Sequence, residues 1–80
     1  MDIRAVLAFN LRKFRRQAGL SQEELAHRAE LDRTYISSLE RSVYAASVDV
    51  VDKIATVLGV ATHEMLVRPP QSDRSRKAGS

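Results

Sequence analysis

The side chains best suited to recognition chemistry crowd into one short segment, Asp32-Arg33-Thr34-Tyr35-Ile36-Ser37-Ser38-Leu39-Glu40-Arg41. With Asp32 as an N-cap, helical geometry turns Ile36 and Leu39 inward and spreads Arg33, Thr34, Ser37, Ser38 and Arg41 over the remaining surface. Such a helix is unusually polar outside a narrow apolar stripe. A polar first turn of this kind fits the major groove of duplex DNA, which admits one helix and displays a distinguishable donor and acceptor pattern at each base pair. Covalent chemistry has no comparable set. The chain has no Cys, and His27 and His63 stand far apart without a matching carboxylate pattern, which argues against a metal site. Ser21 has no triad-like setting, and neither a Gly-rich phosphate loop nor H-E-x-x-H occurs. No catalytic residue, cofactor or small-molecule ligand is expected.

The elements that must position this segment are predicted from apolar periodicity. Ile3, Leu7, Leu11, Phe14 and Ala18 recur at spacings of three and four, marking the inner face of a first helix that Gly19 ends. Ser21 and Glu24 have the spacing of a capping box for a second helix, about Gln22 to Ala29, with Leu20 and Leu25 as the hydrophobic staple. Leu31 and Asp32 then start the third helix, which runs to about Arg41. Ser47 caps a fourth, with Val48, Val51, Ile54, Ala55 and Leu58 inward and Gly59 at its end. A short fifth helix around Thr62 to Val67 stops before Pro69. The expected fold is all-α, a five-helix bundle in residues 1–68. Two short helices separated by three or four residues, the second capped and polar outside, are the ingredients of a helix-turn-helix.

Composition narrows the alternatives. At 80 residues and 9.0 kDa there is room for one small domain, whose core supplies only a few kcal/mol of net stability. Without Cys, a disulfide scaffold or Cys-based zinc finger is excluded. The longest apolar run, Ala5 to Phe9, is far too short to cross a bilayer, and the N-terminus lacks a signal-peptide pattern, so a cytoplasmic protein is expected. The formal net charge of +3 is unevenly placed: residues 1–67 carry nine basic and nine acidic side chains, and the whole excess lies in residues 68–80. Residues 69–80 lack apolar periodicity and read as a disordered basic tail.

Three stretches in this order, Leu20-Ser21-Gln22-Glu23-Glu24-Leu25-Ala26, Tyr35-Ile36-Ser37-Ser38-Leu39-Glu40-Arg41 and Ile54-Ala55-Thr56-Val57-Leu58-Gly59-Val60, resemble the phage-repressor/Cro type of helix-turn-helix domain, the lambda-repressor-like fold. The resemblance covers about residues 3–67. Within that family, Leu31-Asp32-Arg33-Thr34-Tyr35-Ile36-Ser37 looks most like the controller proteins of restriction–modification systems, small dimeric autoregulators. The resemblance implies that Gln22 bonds a DNA phosphate through its amide and the helix N-terminus. It places Arg33 and Thr34 first on the recognition helix, with Ser37 and Ser38 one turn further along. Arg33 suits a bidentate contact to guanine O6 and N7, and Thr34 suits a thymine methyl, a base or a phosphate. Tyr35 is assigned to the DNA backbone, and Arg41 with Tyr44 to the phosphates or the minor groove. Arg15 and Glu40 match a structural ion pair.

The chain departs from the family pattern where Glu30 and Ser42 stand for the usual glycines and Ala46 for a common proline. A non-Gly residue at positive φ is disfavoured by roughly 1 kcal/mol. The resemblance also implies a homodimer on a partly palindromic operator, with its interface near the fifth helix at Val57, Val60, Met65, Leu66 and Val67. The contrasting expectation is a protein-interaction module on the same fold with weak or no DNA binding, an idea supported by the balanced charge of residues 1–67.

Overall fold

The computed structural model describes residues 1–70. The positions 71–80, and with them most of the expected basic tail, lie outside the described residues. Four α-helices follow one another: α1 Ile3–Gln17, α2 Gln22–Ala29, α3 Arg33–Glu40 and α4 Val48–Leu58. No strand occurs among the described residues. The expected fifth helix is corrected to a single 3₁₀ segment, Thr62–Leu66. Five residues closely followed by Pro69 and Pro70 are too few to repay the nucleation of an α-helix.

Each α-helix begins on a side-chain cap. Asp2 accepts from the Ala5 N–H, Asp32 from Thr34 and Ser47 from Val50. At α2 the capping box is complete, with Ser21 Oγ accepting from the Glu24 N–H and the Glu24 carboxylate accepting from the Ser21 N–H, both at 3.0 Å. The helices also share one ending. After each, a residue in the left-handed region lets the next N–H turn back five positions: Leu20 to Arg15, Leu31 to Ala26, Val43 to Ser38 and Val60 to Ala55. Gly19 and Gly59 hold that conformation at φ 73° and 74°, but Glu30 and Ser42 hold it at 58° and 62° with a Cβ present. The same left-handed turn is thus made with glycine at two helix ends and without it at the other two.

Leu11, Leu25, Ile36, Leu39, Ile54 and Met65 are fully buried, with Leu7, Leu20, Ala26, Ala29, Val51 and Ala55 packed around them. Burying each large aliphatic side chain contributes about 1.5–3 kcal/mol before the entropy of ordering the chain is subtracted. Several expected inward positions are corrected. Val48, the first residue of α4, is 77% exposed while Val51 of the same turn is buried, and Ile3 and Ala18 are likewise exposed at the two ends of α1. Met65, expected at a subunit interface, is 0% exposed and completes the core.

Asn10 is buried on the apolar side of α1, and its amide nitrogen donates to the carbonyls of Met65 at 2.8 Å and Val67 at 2.9 Å. One side chain thereby pins the C-terminal segment to the first helix. Asn10→Leu should leave both carbonyls short of a donor and lower stability by about 2–4 kcal/mol, read by urea denaturation. A change under about 0.5 kcal/mol would refute the pin. At Glu30, substitution by Gly removes the Cβ from a left-handed position and should gain about 0.5–1 kcal/mol, a rise of a few degrees in Tm for a domain of this size; a loss would show that Glu30 is not strained.

Candidate nucleic-acid interface

The geometry begins with Glu40, the last residue of α3, whose side chain is only 4% exposed. Its two carboxylate oxygens are taken in fork geometry by Arg15 of α1, with Nε on Oε2 and Nη2 on Oε1 at 2.9 Å. Oε1 also accepts from Nε2 of Gln22, the first residue of α2, at 3.0 Å. Arg12 Nη1 donates to the Glu40 backbone carbonyl, and Arg15 Nη1 to the carbonyl of Leu20 at 3.0 Å. One buried carboxylate therefore joins the first three helices. Burial pushes the Glu40 carboxyl up, but the bonds from Arg15 and Gln22 and the charges of Arg15 and Arg12 outweigh it and hold the group below the ordinary carboxylate range. The Arg15 guanidinium is correspondingly held above its ordinary value by its bond to Glu40, against the effect of its own burial.

The basic run Arg12-Lys13-Arg15-Arg16 divides by helix face. Arg12 and Arg15 turn to α3, while the Lys13 ammonium lies over the rings of Phe14 at 4.6 Å and Phe9 at 5.8 Å. The contact of Arg12 was not legible in the sequence, since only the packing of α1 against α3 brings it to that carbonyl.

On α3 itself, Arg33 and Thr34 are exposed on the first turn, beside the Asp32 cap. Tyr35 is half-buried and packs against the core, and Ser37 is half-buried. Ser38 corrects the surface set, because it is only 5% exposed. The exposed Arg41 folds back over this turn, donating from Nε to the Ser37 carbonyl at 3.3 Å and from Nη2 to the Ser38 hydroxyl at 3.4 Å. Tyr44 is exposed in the loop before α4. Gln22 is half-buried at the head of α2, where the N–H groups of Gln22 and Glu23 have no acceptor among the described residues. The arrangement offers a charged fork and a hydroxyl on one helix, and an amide with a helix N-terminus on another.

The residues expected at a dimer interface separate. Leu66 and Val67 are exposed, Val57 and Val60 are half-buried against the core, and Met65 is inside it. Beside Leu66 lies an apolar cleft of about 160 Å³ between the start of α1 and the start of α4, with Ile3, Leu7, Val48 and Val51 in its wall.

A short capped helix, a left-handed turn and a second capped helix with a polar outer face define a helix-turn-helix domain. The profile of the helix-turn-helix family matches residues 11–65, and the chain belongs to that family. It is 50% identical over 70 residues to a hypothetical transcription factor of Neisseria meningitidis, covering 88% of this chain and 65% of that protein. It is 38% identical to the control protein C.SmaI of Serratia marcescens, over 85% of this chain and 81% of that one. Among solved structures, a chain of the biofilm regulator SinR in complex with DNA superposes with a TM-score of 0.74 at 31% identity, covering 76% of this chain and 98% of that solved chain.

Because the Glu40 carboxyl titrates below its unfolded value, its stabilisation is fully present above the unfolded range, about pH 4.3, and is lost as pH falls through the folded value. Arg15→Ala strands the carboxylate and should cost about 3–5 kcal/mol at pH 7. That penalty should shrink on acidification, as the stranded group takes up a proton. Urea unfolding of both proteins at several pH values checks this; a penalty independent of pH would exclude the charged pair.

Proposed function

We propose that the chain is a DNA-binding transcriptional regulator that acts in the cytoplasm as a homodimer on a partly palindromic operator, with α3 in the major groove. The observation that carries the proposal is the exposed first turn of α3, with Arg33 and Thr34 held at a fixed angle to Gln22 and the head of α2 by the Glu40 clamp. Arg33 reads a guanine through its two parallel N–H groups, and Thr34 contacts an adjacent base or phosphate. Gln22 and the first N–H groups of α2 take a phosphate, which sets register without reading sequence. Ser37, Arg41 and Tyr44 flank the backbone, and Tyr35 supports α3 from its half-buried side.

Dimerisation is assigned to the exposed apolar side chains Leu66 and Val67, with Ile3 and Val48 across the cleft and half-buried Val57 and Val60 behind. A two-fold axis through that face places two recognition helices about 34–36 Å apart, one turn of DNA. Little net charge is available to attract DNA at long range, since residues 1–67 are balanced; the basic positions 68–80 add a salt-sensitive, sequence-independent attraction. That same balance favours a second reading, a protein-interaction module on this fold.

Binding-site selection with the purified protein separates the two. A regulator enriches a pseudo-palindrome with half-sites one helical turn apart, and failure to enrich any sequence at low salt supports the interaction module. On the selected site, Arg33→Ala should lose about 1–3 kcal/mol of discrimination at one base pair per half-site, while binding to random DNA changes little. Equal losses on both duplexes would remove Arg33 from base readout.

A further inference from the structure

A glutamine that touches a phosphate must present its nitrogen, because its oxygen would face an anion that can only accept. In a free side chain nothing decides which end points outward. Here something does. Nε2 of Gln22 is 3.0 Å from Oε1 of Glu40, and an ionised carboxylate accepts hydrogen bonds but cannot donate them. The amide nitrogen is therefore fixed toward α3, and one of its two hydrogens has no acceptor among the described residues. Glu40 in turn has no freedom to move, since Arg15 holds both of its oxygens and Arg12 holds its backbone carbonyl. Next to the amide stand the N–H groups of Gln22 and Glu23, while that of Glu24 is already bonded to Ser21 Oγ.

We propose that Glu40, besides pairing with Arg15, is a positioning residue for DNA binding: it sets the Gln22 amide so that the second Nε2 hydrogen and the first N–H groups of α2 converge on one phosphate oxygen. This rests on the reading that Gln22 contacts a phosphate. Glu40 itself never touches the DNA. Its effect is to remove the rotamer and flip freedom that a phosphate contact would otherwise have to overcome. Glu40→Gln keeps the shape and can still accept from Arg15, but the introduced amide can also donate to the oxygen of Gln22. The Gln22 amide would then be free to turn over.

The test is a double-mutant cycle on the full chain, with wild type, Gln22→Ala, Glu40→Gln and the double variant. Affinity for a random-sequence duplex is measured by fluorescence anisotropy at a temperature where circular dichroism shows all four folded. Gln22→Ala should weaken binding by about five- to tenfold, and Glu40→Gln by about three- to tenfold. In the Gln22→Ala background, Glu40→Gln should have less than about a twofold effect. An equal effect of Glu40→Gln in both backgrounds, or none in the wild-type background, overturns the positioning role. No effect of Gln22→Ala overturns instead the phosphate contact on which it rests. Should Glu40→Gln fail to fold, the side-chain amide of Gln22 in the wild-type protein carries the test by NMR. On adding duplex, one Nε2 proton should shift while its slowly exchanging partner stays in place; two fast-exchanging protons in the free protein would contradict the inference.

Discussion

The arrangement depends on one buried carboxylate. Glu40 lies where the end of α3, the head of α2 and the C-terminal half of α1 meet, and three side chains from those neighbours are spent on it. A charge removed from water in this way is costly unless it is paired and its remaining lone pairs are filled. Arg15 and Gln22 fill them. The pair need not contribute much net stability to matter, because its angular demands are strict: a fork-to-fork contact tolerates little rotation of α3 about its own axis. Satisfying this group constrains the angle between the two helices of the motif, together with the core packing between them.

Two strained turns complete the frame. Glu30 and Ser42 take left-handed conformations that glycine adopts freely, and each sits at the end of a helix that the motif needs to be short. The return bonds from Leu31 to Ala26 and from Val43 to Ser38 satisfy carbonyls that would otherwise be unpaired, which offsets the backbone cost. The chain tolerates this strain because α2 and α3 are each held twice, by the turn and by Glu40. The proposed function enters through the same geometry: a helix that reads bases must be carried at a defined height and tilt over the groove, and the side chains proposed to touch DNA then have only to be exposed.

What was legible in the sequence is what depends on near neighbours. Ser21, Asp32 and Ser47 are recognisable as caps because their acceptors act on N–H groups two or three residues away, and Gly19 and Gly59 as stops for the same reason. The pairing of Arg15 with Glu40 was legible only through a family resemblance, since their separation of 25 positions carries no local signal. Asn10 interrupts an apolar run and reads as its end, yet it lies in the core because Met65 and Val67 bring their carbonyls to it. Ser38 reads as surface until Arg41 folds over it, and Met65 as an interface residue until the 3₁₀ segment turns it inward. For Asn10 and Met65 a tertiary partner decides the burial, and hydropathy alone has no access to it.

Backbone amide shifts during titration with a duplex show whether the heads of α2 and α3 meet DNA as one rigid unit. The largest changes should fall on Ser21 to Glu23 and Asp32 to Ser37 together, at a single apparent affinity, with Ile3, Val48 and Leu66 little affected at constant protein concentration. Changes confined to the cleft around Ile3, Val48 and Leu66, or changes at α3 without α2, would contradict it.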